Sequence, residues 1–235
     1  MNDFNYNNSA NFKKLIKRLK QINPLYDLEI IFPKISWPEN SIQESLEKLK
    51  IMREHYNISI NALDNDLGFQ AIFDRNSEAD LWIHILDDKK NIIGWSINKE
   101  IIIKDQSANY FKITMFHKSL QGQGIYPLLN ELRFQIIKAD LLFVRTQNPQ
   151  VYKYFSQLCL RHNFKISPTI KNTNIKMIKL LENTFDDIDN QSVQRGLFNN
   201  AVSNNPIKFD SKTSHIWSRM SIDNGDCLVI IGYKN

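Results

Sequence analysis

Glycine is scarce in this chain: seven residues in 235. Cysteine is scarcer, with only Cys159 and Cys227, which have neither metal-type spacing nor the repeats of a disulfide framework. That usage fits a reducing compartment. The five histidines form no His-Glu-x-x-His pair or comparable zinc spacing, so no metal is expected. No stretch approaches the roughly 20 apolar residues that cross a bilayer, and the opening MNDFNYNNSANFKK lacks the apolar core of a secretion signal. A soluble cytoplasmic protein without a transmembrane segment is expected. A Gly-x-Ser-x-Gly elbow is also missing, which argues against a serine hydrolase.

What is present describes a folded protein. Hydrophobic residues make up 42% and charged residues 23%, enough apolar material in a chain of this length for a substantial core. The net charge of +5 suits anionic ligands, but it is modest for this length and nucleic acid is not the expected partner. Residues 11–22, NFKKLIKRLKQI, place Phe12, Leu15, Ile16 and Leu19 on one helical face with Lys and Arg opposite. A terminal helix docked on the domain through its apolar face is the expected arrangement. A membrane or nucleic-acid anchor is the alternative.

Helix and strand signals alternate along the rest. DLEIIF (27–32) predicts a strand. Ser41 with Glu44 predicts a capped helix running to about His55, with Ile42, Leu46, Leu49 and Met52 as its apolar face. ADLWIHIL (79–86), NIIGWSINKEIIIK (91–104) and NYFKITMF (109–116) predict an antiparallel meander. A helix over 128–138, a strand over 141–147 and a helix from Pro149 to about residue 162 follow, the last capped by Asn148. Residues 175–185 read as helix, Val193 to Phe198 as a short helix, 199–214 as a loop, and CLVIIGY (227–233) as a buried closing strand. Trp82 and Trp95 lie in apolar strands and are expected in the core, as is Cys159 between Leu158 and Leu160.

Two of the seven glycines meet at one joint, KSLQGQGIYPLL (118–129), between a strand signal and a helix signal. Glycine permits positive φ and close approach of a ligand to the main chain. Successive N–H groups at a helix start can hold a phosphate without a charged side chain. The alternative is a tight turn with no ligand. A P-loop would need Gly-Lys-Ser/Thr where Ile125-Tyr126 stands, and a dinucleotide fingerprint would need a third glycine where Pro127 stands.

The run TMFHKSLQGQGIYPLL resembles the acyl-CoA signature of the GNAT superfamily of N-acyltransferases, Arg/Gln-x-x-Gly-x-Gly/Ala. It reads here as Gln121-x-x-Gly124-x-Tyr126, with Gly122 and Gln123 in the variable places and Tyr126 where a small residue is usual. The segment TQNPQVYKYF resembles the family's second cofactor segment, Asn-x-x-Ala-x-x-Leu-Tyr, with Asn148 at its Asn, Val151 at its Ala and Phe155 where its tyrosine usually sits.

The resemblance implies an α/β (α+β) fold with a mixed, mostly antiparallel central sheet flanked by helices, and a long insertion before the last strand. It places a single domain over 1–235, with an N-terminal extension (1–40), a core signature (80–165), an insertion (166–226) expected to shape the acceptor site, and the closing strand. It also implies direct acyl transfer, with acetyl-CoA or another acyl-CoA as donor and an amine of a small molecule or peptide as acceptor. The implied donor-binding residues are Thr114, Met115 and Phe116 on the strand, Gln121, Gly122, Gln123, Gly124, Ile125 and Tyr126 in the loop, and Asn148 and Phe155. In the family a tyrosine commonly protonates the departing thiolate. Phe155 cannot, which leaves Tyr154 and Tyr152 as candidates, while His117 and His84 are the candidate bases. The departures at Tyr126, Pro127 and Phe155 imply the alternative, a non-catalytic acyl-CoA-binding or regulatory protein. A homodimer is left open.

Overall fold

The computed structural model describes residues 6–38, 42–182, 184–185, 187–198, 200–205, 207–209 and 211–234. In chain order the elements are α1 (Ala10–Ile22), β1 (Asp27–Ile31), α2 (Pro33–Ser36), α3 (Ile42–Leu63), α4 (Phe69–Ser77), β2 (Leu81–Leu86), β3 (Ile92–Ile103) and β4 (Gln106–Phe116). They continue with a 3-10 turn (Lys118–Leu120), α5 (Ile125–Ile136), β5 (Leu141–Thr146), α6 (Pro149–Arg161), β6 (Lys165–Ser167), α7 (Ile175–Leu181), β7 (Val193–Gln194), α8 (Ser214–Trp217) and β8 (Cys227–Tyr233).

The strands form an eight-stranded mixed sheet in the order β1-β2-β3-β4-β5-β8-β6, with β7 also paired to β8. Pairing is antiparallel for β1–β2, β2–β3, β5–β8, β6–β8 and β7–β8, and parallel for β4–β5, where Ala108, Asn109 and Tyr110 face Leu141, Leu142 and Phe143. The chain divides into two compact units, one of residues 1–99 and 112–137, the other of residues 100–111 and 138–235.

In the first unit, strand alternation sends side chains to two cores. Leu81, Ile83 and Ile85 of β2 pack with Leu15 and Leu19 of α1 and with Leu129 and Leu132 of α5. Trp82 of β2 and Trp95 and Ile97 of β3 pack instead with Met52 and Ile58 of α3 and Ile72 of α4. Helix α1 starts where Ser9 Oγ accepts from the N–H of Phe12 at 3.1 Å. Its apolar face is docked, while Lys13, Lys14, Lys17 and Lys20 stay exposed.

In the second unit, Phe155 of α6 meets Phe111 of β4 edge to face at 5.6 Å. Another cluster joins Tyr110, Phe143, Val229 and Ile231 of the sheet to Ile178 and Leu181 of α7. Helix α6 begins with Asn148 Oδ1 accepting from the N–H of Gln150 at 2.9 Å, and Pro149 occupies the first turn.

Three expectations differ from the structure. The helix predicted to end near His55 runs on to Leu63, because Ile58, Ser59 and Ala62 continue a buried stripe that starts at Met52. That stripe takes Met52 but leaves Ile42 and Leu46 84% and 62% exposed, so the expected apolar face was rotated. Ser41, the expected cap, lies outside the described residues. Residues 193–198, expected as helix, instead give the short strand β7 followed by a turn, since Val193 pairs with Leu228. Helix α4 had no sequence signal strong enough to predict it. Among the described residues, no helix is long and apolar enough to cross a membrane.

Candidate functional site

The Gly-rich joint folds as a 3-10 turn followed by two left-handed glycines at the head of α5. Gly122 has φ 72° and Gly124 has φ 71°, a region that costs other residues about 1–2 kcal/mol. A Cβ on either would meet nothing within 4 Å, so both glycines are required by backbone conformation and open space lies beside them. Among the described residues, the main-chain N–H groups of Gly122, Gln123, Gly124 and Ile125 have no recorded protein acceptor. They stand at the start of the twelve-residue helix α5, where the first N–H groups have no intrahelical partner and the helix dipole favours negative charge.

The loop is held from behind by side chains of the same unit. Gln121 Nε2 donates to the carbonyls of Ala62 at 3.2 Å and Phe116 at 3.1 Å, tying the loop to the end of α3 and the end of β4. The N–H of Lys118 donates to Asn61 Oδ1 at 2.9 Å, and its ammonium pairs with Asp64 at 2.7 Å. Arg18 Nε of α1 donates to the Gln123 carbonyl at 2.7 Å. Gln121 therefore braces the loop, and Arg18 fixes the direction of one of its carbonyls.

Behind β4 and α5 lies a buried polar network. The Arg133 guanidinium, 1% exposed, donates to Asn98 Oδ1 at 2.5 Å, the Ile97 carbonyl at 2.8 Å, Thr114 Oγ1 at 2.9 Å and Asn130 Oδ1 at 3.2 Å. Thr114 Oγ1 in turn donates to Ser96 Oγ at 3.1 Å. Burial lowers the Arg133 pKa to about 10. Burial also raises that of Tyr126, against the opposing pull of Arg133 and Asn130. The Tyr126 phenol thus belongs to this network's surroundings. Met115 and Phe116, next to Thr114 on β4, are half-buried.

In the second unit, Asn148 is occupied as the cap of α6 and Phe155 is fully buried against Phe111. Tyr152 is buried and its hydroxyl donates to the Pro168 carbonyl at 3.2 Å. Tyr154 is half-buried, with the Lys153 ammonium 5.6 Å from its ring centre. Cys159 is buried, and burial pushes its thiol pKa up to about 12, as befits a packing residue.

The two candidate histidines are in contrasting places. His117, half-buried at the mouth of the loop, lies with Nδ1 2.9 Å from Ser119 Oγ. His84 on β2 is wholly buried: its Nδ1 is 2.9 Å from Glu29 Oε2, and its Nε2 is 2.9 Å from Nε2 of His55 on α3. The loop candidates Gln121 to Tyr126, with Thr114, Met115, Phe116, His117 and His84, belong to the first unit, and Asn148, Tyr152, Tyr154 and Phe155 to the second. Sequence reasoning missed Arg18, His55, Asn76 and Arg133. Of these, only Arg133 carried a signal, as a charged residue within the apolar run LLNELRFQII. No group of three or more His, Cys, Asp or Glu is placed to hold a metal among the described residues.

No protein-family profile matches the sequence, and no curated protein is significantly similar to it. Solved structures similar to the chain include the NatC complex bound to Gag peptide and CoA, at 11% identity over 57% of this chain and 82% of that one, with a TM-score of 0.43. The loading GNATL domain of CurA from Lyngbya majuscula is 12% identical over 89% of this chain and 97% of that one, with a TM-score of 0.42. The GNAT family N-acetyltransferase YhbS from Escherichia coli, in complex with CoA, is 12% identical over 60% and 68%, with a TM-score of 0.37.

Proposed function

We propose that the protein is an acyl-CoA-dependent N-acyltransferase that passes an acyl group, most simply acetyl, directly to an amine of a small molecule or peptide. The observation that carries this reading is the loop at the head of α5. Two left-handed glycines stand there beside four main-chain N–H groups, Gly122 to Ile125, for which no protein acceptor is recorded among the described residues. Such a row of donors at a helix start suits a pyrophosphate. The open space beside both glycines leaves room for one. The sequence signature Gln121-x-x-Gly124 supports CoA as the pyrophosphate carrier.

In this reading, the N–H groups of Gly122 to Ile125 hold the pyrophosphate, and the Thr114–Phe116 stretch of β4 offers main-chain groups to the pantetheine arm. Gln121 holds the loop in place from behind. Polarising the thioester carbonyl would fall to a main-chain N–H, which favours charge that develops only during attack. Among the candidate proton carriers, His117 and Tyr154 retain exposed surface, whereas Tyr152 and His84 are buried. We assign proton transfer to His117, which belongs to the same unit as the loop. The reading needs no metal.

Calorimetric titration with acetyl-CoA tests it, repeated on Gly124→Trp, whose side chain would fill the open space. Saturable binding by the wild type and none by the variant is the expected result. No CoA-dependent heat from the wild type would overturn the assignment. Binding without acyl transfer to any member of a broad amine panel would favour the second reading, a non-catalytic CoA-binding protein, which Phe155 in place of the family's tyrosine motivates.

A further inference from the structure

Two wholly buried imidazoles meet in the first unit. Reading from the surface inward, the half-exposed Glu29 carboxylate is 2.9 Å from His84 Nδ1, and His84 Nε2 is 2.9 Å from His55 Nε2. His55 Nδ1 is in turn 2.9 Å from Nδ2 of Asn76. The chain of contacts therefore crosses β1, β2, α3 and α4. His55 is stacked on Trp95 at 4.6 Å and meets Trp82 edge-on at 5.4 Å, so bulk water has no access to it.

One assignment of protons satisfies all three contacts. Glu29 is ionised and accepts from His84 Nδ1–H, His84 Nε2 accepts from His55 Nε2–H, and His55 Nδ1 accepts from the Asn76 amide. Both rings are neutral, and every ring nitrogen is used. An added proton on His84 makes its Nε2 a donor, so His55 must move its own proton to Nδ1, where it faces the Asn76 N–H. Two donors then oppose each other either between the histidines or between His55 and Asn76. Relief comes only if the contact opens or the Asn76 amide turns over. Its Oδ1 is buried without a partner in the present orientation.

The consequence reaches the Gly-rich loop through α3. Asn61, Ala62 and Asp64, which hold Lys118 and Gln121, lie six to nine residues beyond His55, about 9 to 14 Å along a helix axis. We propose that the His55–His84 pair is a proton-operated latch on α3, whose opening on protonation releases the loop and weakens binding there. As a statement about CoA, this rests on the function proposed above.

The groups facing the pair are few. From β1 comes Glu29, itself acted on by Lys90 and Asp27. From α4 comes the neutral Asn76, and from β2 and β3 the two indoles. On α3 the preceding residue, Glu54, is turned to the N–H of Ile92 at 3.2 Å. Burial, followed by the neighbouring His84, lowers the His55 pKa well below 6.5, which agrees with a pair that is neutral when closed.

The test uses the free protein first. Imidazole nitrogen NMR of the wild type should give Nδ1–H for His84 and Nε2–H for His55 at about pH 7.5. The amide signals of Gly122 and Gly124 should then shift with the same midpoint as the imidazoles as the pH is lowered. Asn76→Asp should raise that midpoint, because the new carboxylate accepts from His55 Nδ1–H and favours the protonated pair; the loop amides following the raised midpoint is what a merely structural contact would not produce. In His84→Gln the coupled shift of the loop should vanish. Acetyl-CoA affinity should fall about tenfold per pH unit within the transition, the limit for one linked proton. This fall is read as wild type minus His84→Gln, which removes the titration of the ligand's own phosphate. Loop signals that stay still while the imidazoles titrate would overturn the latch, as would a midpoint indifferent to Asn76→Asp. Absence of CoA binding at pH 7.5 would overturn the proposed function, and the glycine signals would still decide the latch.

Discussion

Arg133 Nε lies 2.5 Å from Oδ1 of Asn98, which pins α5 to β3 where the guanidinium is 1% exposed. The same side chain reaches Thr114 of β4 and the carbonyl of Ile97. One buried cation thus sets the seat of the helix whose first turn follows the Gly-rich loop. Arg133→Met should destabilise the fold by about 3 kcal/mol or more, because several buried acceptors lose their donor at once. Arg133→Lys should recover little, since an ammonium cannot reproduce the planar fork. Urea midpoints of the two variants check both statements.

Gly124→Ala places a Cβ where nothing lies within 4 Å, at φ 71°. Its effect on stability should be the conformational cost alone, about 1–2 kcal/mol. Gly124→Asn should cost less, because asparagine tolerates the left-handed region. Comparison of thermal midpoints for the pair distinguishes this from a steric effect, which would make the larger residue worse.

A Cβ added to Gly232 of β8 would sit 2.6 Å from the Sγ of Cys159. Gly232→Ala should therefore cost about 1–3 kcal/mol, the range for overpacking. In a Cys159→Ala background the same change should cost markedly less, and a double-mutant cycle by chemical denaturation measures the coupling. With its pKa pushed up to about 12 by burial, Cys159 should stay unmodified by thiol reagents in the native state and react after unfolding.

Asp226 organises the turn before β8. It accepts from the N–H groups of Ser221 at 2.9 Å and Gly196 at 3.0 Å, and from Arg195 at 2.7 Å. Burial alone would raise its pKa, but the two backbone N–H groups and Arg195 outweigh it, and the net shift is downward. A carboxylate depressed in the folded state adds stability above its unfolded value near 3.8 and loses it as pH falls through the folded value. Asp226→Asn should flatten the acid limb of the stability curve below about pH 4, as read from urea midpoints against pH, and should lower the plateau at neutral pH.

The elements with regular apolar spacing were legible in the sequence. The strand CLVIIGY and the helix capped by Asn148-Pro149 appear where local chemistry puts them. Helix α3 was legible only in its first half: beyond His55, the residues YNISINAL mix polar and apolar types. Its length is set by Ile58, Ser59 and Ala62 being buried, which is a property of packing. Helix α4, with Gln70, Asp74, Arg75 and Asn76 among its nine residues, shows too weak a stripe to predict.

The candidate site divides in the same way. QGQG announced its two left-handed glycines, because scarcity of glycine elsewhere made two at one joint informative. His84 offered only an isolated ring in an apolar strand. Its partners Glu29 and His55 lie 55 and 29 residues away in sequence, and no spacing rule spans such distances.

By itself the sequence determined the Asn148 cap, the strand alternation and the left-handed glycines of the joint, because each depends on interactions within a few residues. The tertiary structure decided which polar side chains are withdrawn from water and what meets them there. Gln121 became a brace, Tyr152 a donor to a carbonyl, Phe155 a core residue, and His55 with His84 a buried pair. Desolvation and long-range contact fix such roles, and both exist only once the chain has folded.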